Sequence, residues 1–172
     1  MSIASLDTDN RVFSAFSLSK TYAMTGIRVG YLVTPPGLAT LMRTVQEATV
    51  SCVNTPAQYA AVAALTGDHE HVAAAKAHYR ANLVAATALL DERGIRYLPP
   101  TGAFYLWIDV RHASGGDVAA WAETLLLEKR VAVAPGSAFG RSGEGWIRVC
   151  LATEEGQLLD GLSRIPAPEA RA

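Results

Sequence analysis

The sequence predicts an α/β protein in two lobes. Three observations carry this. The first third reads as strand, loop, strand and then helices; a long periodic helix follows; from residue 95 onward short apolar strands alternate with helical segments. The chain has 172 residues, 50% of them hydrophobic, enough to fill one ordinary domain or two small ones.

Residues 11–17, "RVFSAFS", are short, apolar and interspersed with small residues, and predict a buried strand. Residues 27–33, "IRVGYLV", predict a second. Between them lies the loop "LSKTYAMTG", closed by Gly26. Pro35, Pro36 and Gly37 break the chain. "LATLMRTVQEATV" then has helical spacing, and Pro56 opens a further helix running to Leu65.

Residues 69–93 give the clearest helix signal. Val72, Ala75, Tyr79, Leu83, Ala86 and Leu90 step by three and four and share one face. Asp68 is a suitable N-cap and Gly94 a suitable stop. "FYLWIDV" at 104–110 follows the turn "PPTG" and predicts a strand. Asp117 opens a helix over 118–129. "RVAVAP" (130–135) predicts a short strand, "GSAFGRSGEG" a glycine-rich loop, and "WIRVCLA" (146–152) another strand. Thr153, Glu154 and Glu155 start a last helix, because carboxylates suit a helix N-terminus. The tail "IPAPEARA" reads as frayed. The expected division is a first lobe over 1–66, a connecting helix over 67–94, a small α/β lobe over 95–165 and a tail over 166–172.

Charge and cysteine content exclude several classes of function. The net charge is −1 and no basic block stands out, which argues against nucleic acid or an anionic membrane surface as a main partner. "MSIASLDTDNR" lacks the apolar core of a signal peptide, and no apolar run is long enough to span a bilayer. Cys52 and Cys150 lie far apart in sequence and read as reduced thiols of a cytoplasmic protein.

The chemistry concentrates in "SAFSLSKTYAMTGIRVGYLV", residues 14–33. Two residues apart on a strand share a face, so Ser17 and Ser19 can point the same way, and a hairpin returns Arg28 towards Ser17. Two hydroxyls and a planar guanidinium fork make a site for a phosphate-like dianion. Lys20, held beside that site, can form an imine with a phosphorylated aldehyde.

"SLSKTYAMTGIRVGY" resembles the pyridoxal-phosphate lysine motif of class I/II aminotransferases, S-x-S-K-x-x-x-x-x-G-x-R-x-G-Y. Ser17, Ser19, Lys20, Gly26, Arg28, Gly30 and Tyr31 fit it. "NTPAQYAAVAAL", "PPTGAFYLWIDV", "VAVAPGSAFG" and "WIRVCLA" resemble successive landmarks of the same family, in order. The resemblance implies the C-terminal part of a fold type I pyridoxal-phosphate-dependent transferase: two strands of the large domain plus the small α/β domain. It also implies an aminotransferase moving an amino group between an amino acid and a 2-oxo acid, with pyridoxal 5'-phosphate as cofactor. Residue by residue, it makes Lys20 the cofactor-linked and proton-moving amine. Ser17, Ser19 and Arg28 become ligands of the cofactor phosphate, and Arg148 the binder of the substrate α-carboxylate. The alternative for Arg148 is a strand-edge arginine paired with a carboxylate.

The same resemblance implies absences. The family's aspartate to the pyridine nitrogen, its tyrosine and asparagine near the ring hydroxyl, and its ring-stacking aromatic all lie upstream of the lysine, and only 19 residues precede Lys20. Asp7 and Asp9 sit too close to the first strand for the aspartate role. The strands that would flank the first two are also absent, which leaves exposed edges and predicts association with a missing N-terminal half or a homodimer. The alternative function is a non-catalytic, cofactor-sensing or degenerate aminotransferase-like module. No metal site is expected: His69, His71 and His78 read as a solvated helix face, and Asp91 and Glu92 as surface charges. Loop 136–145 reads either as part of an active-site mouth or as a mobile connector. Trp107 and Trp146 read as core.

Overall fold

The computed structural model describes residues 3–169. A 3-10 turn, Ile3–Leu6, precedes β1 (Ser14–Ser17), a second 3-10 turn (Thr25–Ile27), β2 (Gly30–Val33), α1 (Pro36–Val50) and α2 (Thr55–Thr66). The long helix α3 spans Glu70–Glu92. Next come β3 (Tyr97–Leu98), β4 (Tyr105–Asp109), α4 (Arg111–Ser114), α5 (Val118–Lys129), β5 (Ala134–Pro135), β6 (Trp146–Cys150) and α6 (Glu155–Ser163). The chain divides into two compact units within α3, after Ala74. No helix among the described residues is long and apolar enough to cross a membrane.

In the first unit β1 and β2 form an antiparallel pair with Ser14 opposite Val33 and Ser17 opposite Gly30. Both strands are shorter than their apolar runs. The Asp7 carboxylate accepts the N–H groups of Arg11 (2.9 Å) and Val12 (3.1 Å), which takes those residues out of the ladder. At the other end Arg28 adopts a left-handed conformation, φ 61°, which ends extended pairing. The expected burial also fails. Phe16 and Tyr31, opposite each other and stacked at 4.8 Å, stay 45% and 43% exposed, because among the described residues of this unit only Leu18, Val29 and Ala57 form a buried cluster. Helix α1 buries nothing, although Leu41, Val45 and Val50 are apolar. Pro36 and Gly37 open that helix rather than break the chain, since proline's missing N–H costs nothing in a first turn. Asn54 caps α2 by accepting the Ala57 N–H at 2.9 Å, with Pro56 in the first turn.

Helix α3 buries the predicted face at Ala86 and Leu90, with Tyr79 and Leu83 half-buried. Because Ala86 and Leu90 lie in the second unit's core, residues 75–92 belong to that unit rather than to a separate connector. Asp68 sits one residue before the cap position and accepts the Glu70 N–H at 3.2 Å. Gly94, at φ +64°, ends the helix: the Ile95 N–H reaches the Leu90 carbonyl (2.9 Å) and the Gly94 N–H reaches Asp91 (3.1 Å).

The second unit is a four-stranded antiparallel sheet in the order β3-β4-β6-β5. Strand β4 alternates: Leu106 and Ile108 are fully buried, while Tyr105 and Trp107 on the opposite face are half-buried. The buried face packs with Ala86 and Leu90 of α3, Val118 of α5 and Leu158 and Leu162 of α6. Each such leucine or valine side chain contributes about 1.5–3 kcal/mol. Strand β3 and the short helix α4 have no counterpart in the sequence reading. The strand expected over 130–135 shrinks to Ala134–Pro135 because Arg130 takes a left-handed φ of 58° and caps α5. Asp117 caps the other end of α5, accepting the Ala120 N–H at 3.0 Å. At α6 the Thr153 hydroxyl donates to the Gln157 side chain, and Glu154 occupies the cap position. The tail is anchored where it begins. Ile165 is buried, and the Arg93 guanidinium donates to the carbonyls of Leu162 (2.6 Å) and Ile165 (2.5 Å). Residues 170–172 of the expected frayed tail lie outside the described residues.

Candidate active site

The ladder between β1 and β2 stops at Ser17 and Gly30, and one further bond, Leu18 N–H to the Val29 carbonyl (3.4 Å), closes the hairpin base. Ser17, Ser19 and Arg28 therefore lie at one end of the hairpin. The link is not a shared strand face, because β1 ends at Ser17. Ser19 is in a turn, and its N–H donates to Ser17 Oγ at 3.2 Å. The Thr25 hydroxyl donates to the Ser19 carbonyl (2.9 Å), and the Arg28 guanidinium donates to the Thr25 carbonyl (2.7 Å). A continuous run of hydrogen bonds thus ties Ser17 to Arg28. Thr25 is the residue the sequence reading passed over, although its hydroxyl sits inside the quoted motif.

Leu18 and Val29, buried beneath the turn, fix its floor. Gly30 is required: a Cβ there would run into the Phe16 carbonyl of the paired strand. Lys20 and Arg28 are exposed, and neither pairs with a carboxylate among the described residues. Hydroxyls, a guanidinium and an amine, free of competing carboxylates, make a donor set that fits a phosphorylated aldehyde such as pyridoxal phosphate. Asp7 and Asp9 serve local structure. Asp7 holds the backbone of Arg11 and Val12, which keeps its carboxyl below the usual range, and Asp9 pairs with the Arg11 guanidinium at 2.8 Å.

Arg148, in the second unit, is not on a strand edge. Strand β6 lies between β4 and β5, with Arg148 opposite Trp107 on one side and Ala134 on the other. Its guanidinium lies 4.2 Å from the Tyr105 ring centroid and 4.3 Å from that of Phe139, and pairs with no carboxylate among the described residues. The alternative of a carboxylate-paired edge arginine is therefore overturned. Trp107 and Trp146 are half-buried on the same outer face rather than in the core. Trp107 meets Phe139 edge-on at 5.4 Å, and Trp146 has the guanidinium groups of Arg96 and Arg111 at 5.9 and 5.7 Å.

Loop 136–145 is built, not slack. It holds two 3-10 turns, Gly136–Phe139 and Arg141–Gly143. Gly136 and Gly143 pack backbone to backbone, so a Cβ on Gly136 would collide with the Gly143 carbonyl and come within 2.6 Å of the Trp146 carbonyl. Glu144 reaches across to cap α5, accepting the Val118 N–H at 2.7 Å and the Gly145 N–H at 3.2 Å. Close by, Asp109 is buried and held by Arg111, whose hydrogen bonds keep its carboxyl below the usual range.

The histidines are not a bare solvated face. His69 and His71 lie against the Tyr22 ring at 5.9 and 5.8 Å. His78 Nε2 is 3.0 Å from the Thr153 carbonyl, beside the fully buried Asn82, whose amide donates to the carbonyls of Leu151 (2.8 Å) and Thr153 (2.7 Å). Cys52 and Cys150 are free and exposed.

The family model for aminotransferase class I and II matches residues 1–165. The chain belongs to that family, and its α/β architecture is that of part of the fold type I aminotransferases. Among its relatives is an aspartate aminotransferase of Thermotoga maritima, 40% identical over 156 residues, covering 91% of this chain and 39% of the relative. An aspartate aminotransferase of Pyrococcus abyssi is 35% identical, covering 95% of this chain and 43% of its own length. The crystal structure of an aromatic aminotransferase from Pyrococcus horikoshii superposes with a TM-score of 0.86 at 36% identity, over 95% of this chain and 44% of that one. The chain thus spans about two fifths of the length of these relatives.

Proposed function

We propose that this chain carries the cofactor-anchoring and carboxylate-binding part of an amino-acid aminotransferase, which moves an amino group between an amino acid and a 2-oxo acid. The observation that carries the reading is the knitted turn at the hairpin end that ties Ser17, Ser19 and Arg28 together, with Lys20 exposed in the same turn and no carboxylate among the described residues paired with Lys20 or Arg28.

In this reading the Ser17 and Ser19 hydroxyls and the Arg28 guanidinium bind the phosphate of pyridoxal phosphate. Charge-assisted hydrogen bonds of this type are the strong ones. When bound, that cofactor supplies an electron sink for bond cleavage at the substrate α-carbon. Lys20 Nζ takes the proton from that carbon and holds it for return, a role suited to a flexible amine. Arg148 orients the α-carboxylate through its planar fork. The exposed β1–β2 pair, the unburied apolar residues of α1 and an adjoining groove of about 550 Å³ take up the complementary part of the fold, in an assembly that is a homodimer. That complement supplies the groups around the cofactor ring.

The test uses the chain's three lysines, Lys20, Lys76 and Lys129. The chain is mixed with pyridoxal phosphate, reduced with borohydride and peptide-mapped. The label is expected on Lys20, is lost in Lys20→Ala, and is taken up at least about tenfold more weakly in Arg28→Ala, because one charged hydrogen bond is removed. Equal labelling of Lys76 and Lys129 overturns the proposal.

A further inference from the structure

The geometry points to Tyr105 and Phe139 as positioning residues that clamp Arg148 in one plane, so that its N–H edge is presented ready for a carboxylate. This rests on the reading of Arg148 given above, and adds the two residues that make that arginine selective in orientation.

The two rings hold the guanidinium at 4.2 and 4.3 Å, distances at which each attracts the cation through its π-system. Rings accept no conventional hydrogen bond, so the guanidinium N–H donors stay available beside these two contacts. None of them is used: Arg148 makes no side-chain hydrogen bond and no ion pair among the described residues. An arginine free to rotate would have to be ordered at the moment of binding; one already held against two rings has lost part of that freedom.

Both rings are themselves held. Tyr105 lies in the inner strand β4 and meets the Phe104 ring at a 40° tilt and 4.5 Å, and Phe104 in turn meets Tyr79 of α3 at 5.4 Å. Phe139 is 48% exposed, yet it ends a turn that cannot shift freely. Gly136 and Gly143 are in backbone contact behind it, Glu144 pins the far end of the loop to the start of α5, and Trp107 meets the ring edge-on. The glycine-rich loop is thus the arm that delivers Phe139 to Arg148.

NMR of the full, isotopically labelled chain tests this, with succinate as the carboxylate probe. In the ligand-free wild type the Arg148 Nε–Hε group is expected to be ring-current shifted and motionally restricted. Phe139→Leu and Tyr105→Leu keep bulk but remove a ring. Each should release both signatures and weaken succinate binding by about three- to tenfold. Phe139→Tyr and Tyr105→Phe keep a ring and should retain both; they also serve if a leucine variant fails to fold. If the leucine variants leave the Arg148 signatures and the succinate affinity unchanged, the clamp is overturned. If succinate shifts nothing at Arg148, or Arg148→Ala binds it as the wild type does, the carboxylate role fails. The ligand-free signatures judge the clamp separately.

Discussion

Asn82 makes the second unit's most consequential polar contact, and replacing it gives a calculable loss. Its amide donates to two carbonyls, that of the buried Leu151 at 2.8 Å and that of the half-buried Thr153 at 2.7 Å, and thereby ties α3 to the chain leaving β6. The residue is fully buried and its own Oδ1 has no partner. Asn82→Ala removes two hydrogen bonds worth about 1 kcal/mol each and leaves the buried Leu151 carbonyl without this donor, at about 1–3 kcal/mol more. The expected loss is about 3–5 kcal/mol, a large share of the 5–15 kcal/mol typical of a domain. Trp107, Trp121 and Trp146 all lie in the second unit, so tryptophan fluorescence in a urea titration reports that unit. At a slope of about 2 kcal/mol/M the midpoint should fall by about 1.5–2.5 M. Asn82→Leu preserves volume but not the donors and should lose nearly as much. A drop under about 0.5 M in both variants would show that water or relaxation satisfies the carbonyls, and the reasoning would be wrong.

Three further outcomes follow from the geometry. Gly94→Ala puts a side chain at φ +64° and should cost about 1–2 kcal/mol, read in the same titration, unless the helix end refolds. Gly136→Ala forces apart two backbone segments that touch, and should cost about 1–3 kcal/mol while releasing the ring-current shift of Arg148, checked by denaturation and by NMR. Arg111 holds the Asp109 carboxyl below its unfolded pKa of about 3.9, so the pair stabilises the fold above that pH. Its contribution is lost as pH falls below about 4, through the depressed folded value. The wild type should therefore destabilise more steeply on acidification than Asp109→Asn; parallel curves from pH 5 to pH 2 would remove Asp109 from the account.

The helices and the motif were legible from local chemistry. Helix α3 shows its buried face in steps of three and four, α5 is bounded by the Asp117 cap, and the Gly94 stop needs only a residue that tolerates positive φ. The motif of Ser17, Ser19, Lys20, Gly26, Arg28, Gly30 and Tyr31 carried the resemblance to the family, which the match over residues 1–165 bears out. Pairing and burial were not legible. Whether "RVFSAFS" is a buried strand depends on what covers it, and in this chain Phe16 and Tyr31 remain open because the first unit's buried cluster is so small. Likewise no local pattern tells that Asn82 sits among core residues, that Glu144 caps a helix 26 residues before it in sequence, or that Arg148 rests between Tyr105 and Phe139. Sequence fixes conformational preference and chemical type, which act over one turn or one strand. Which long-range partners meet is decided by packing of the whole chain, and for this protein that packing sets how Arg148 is held.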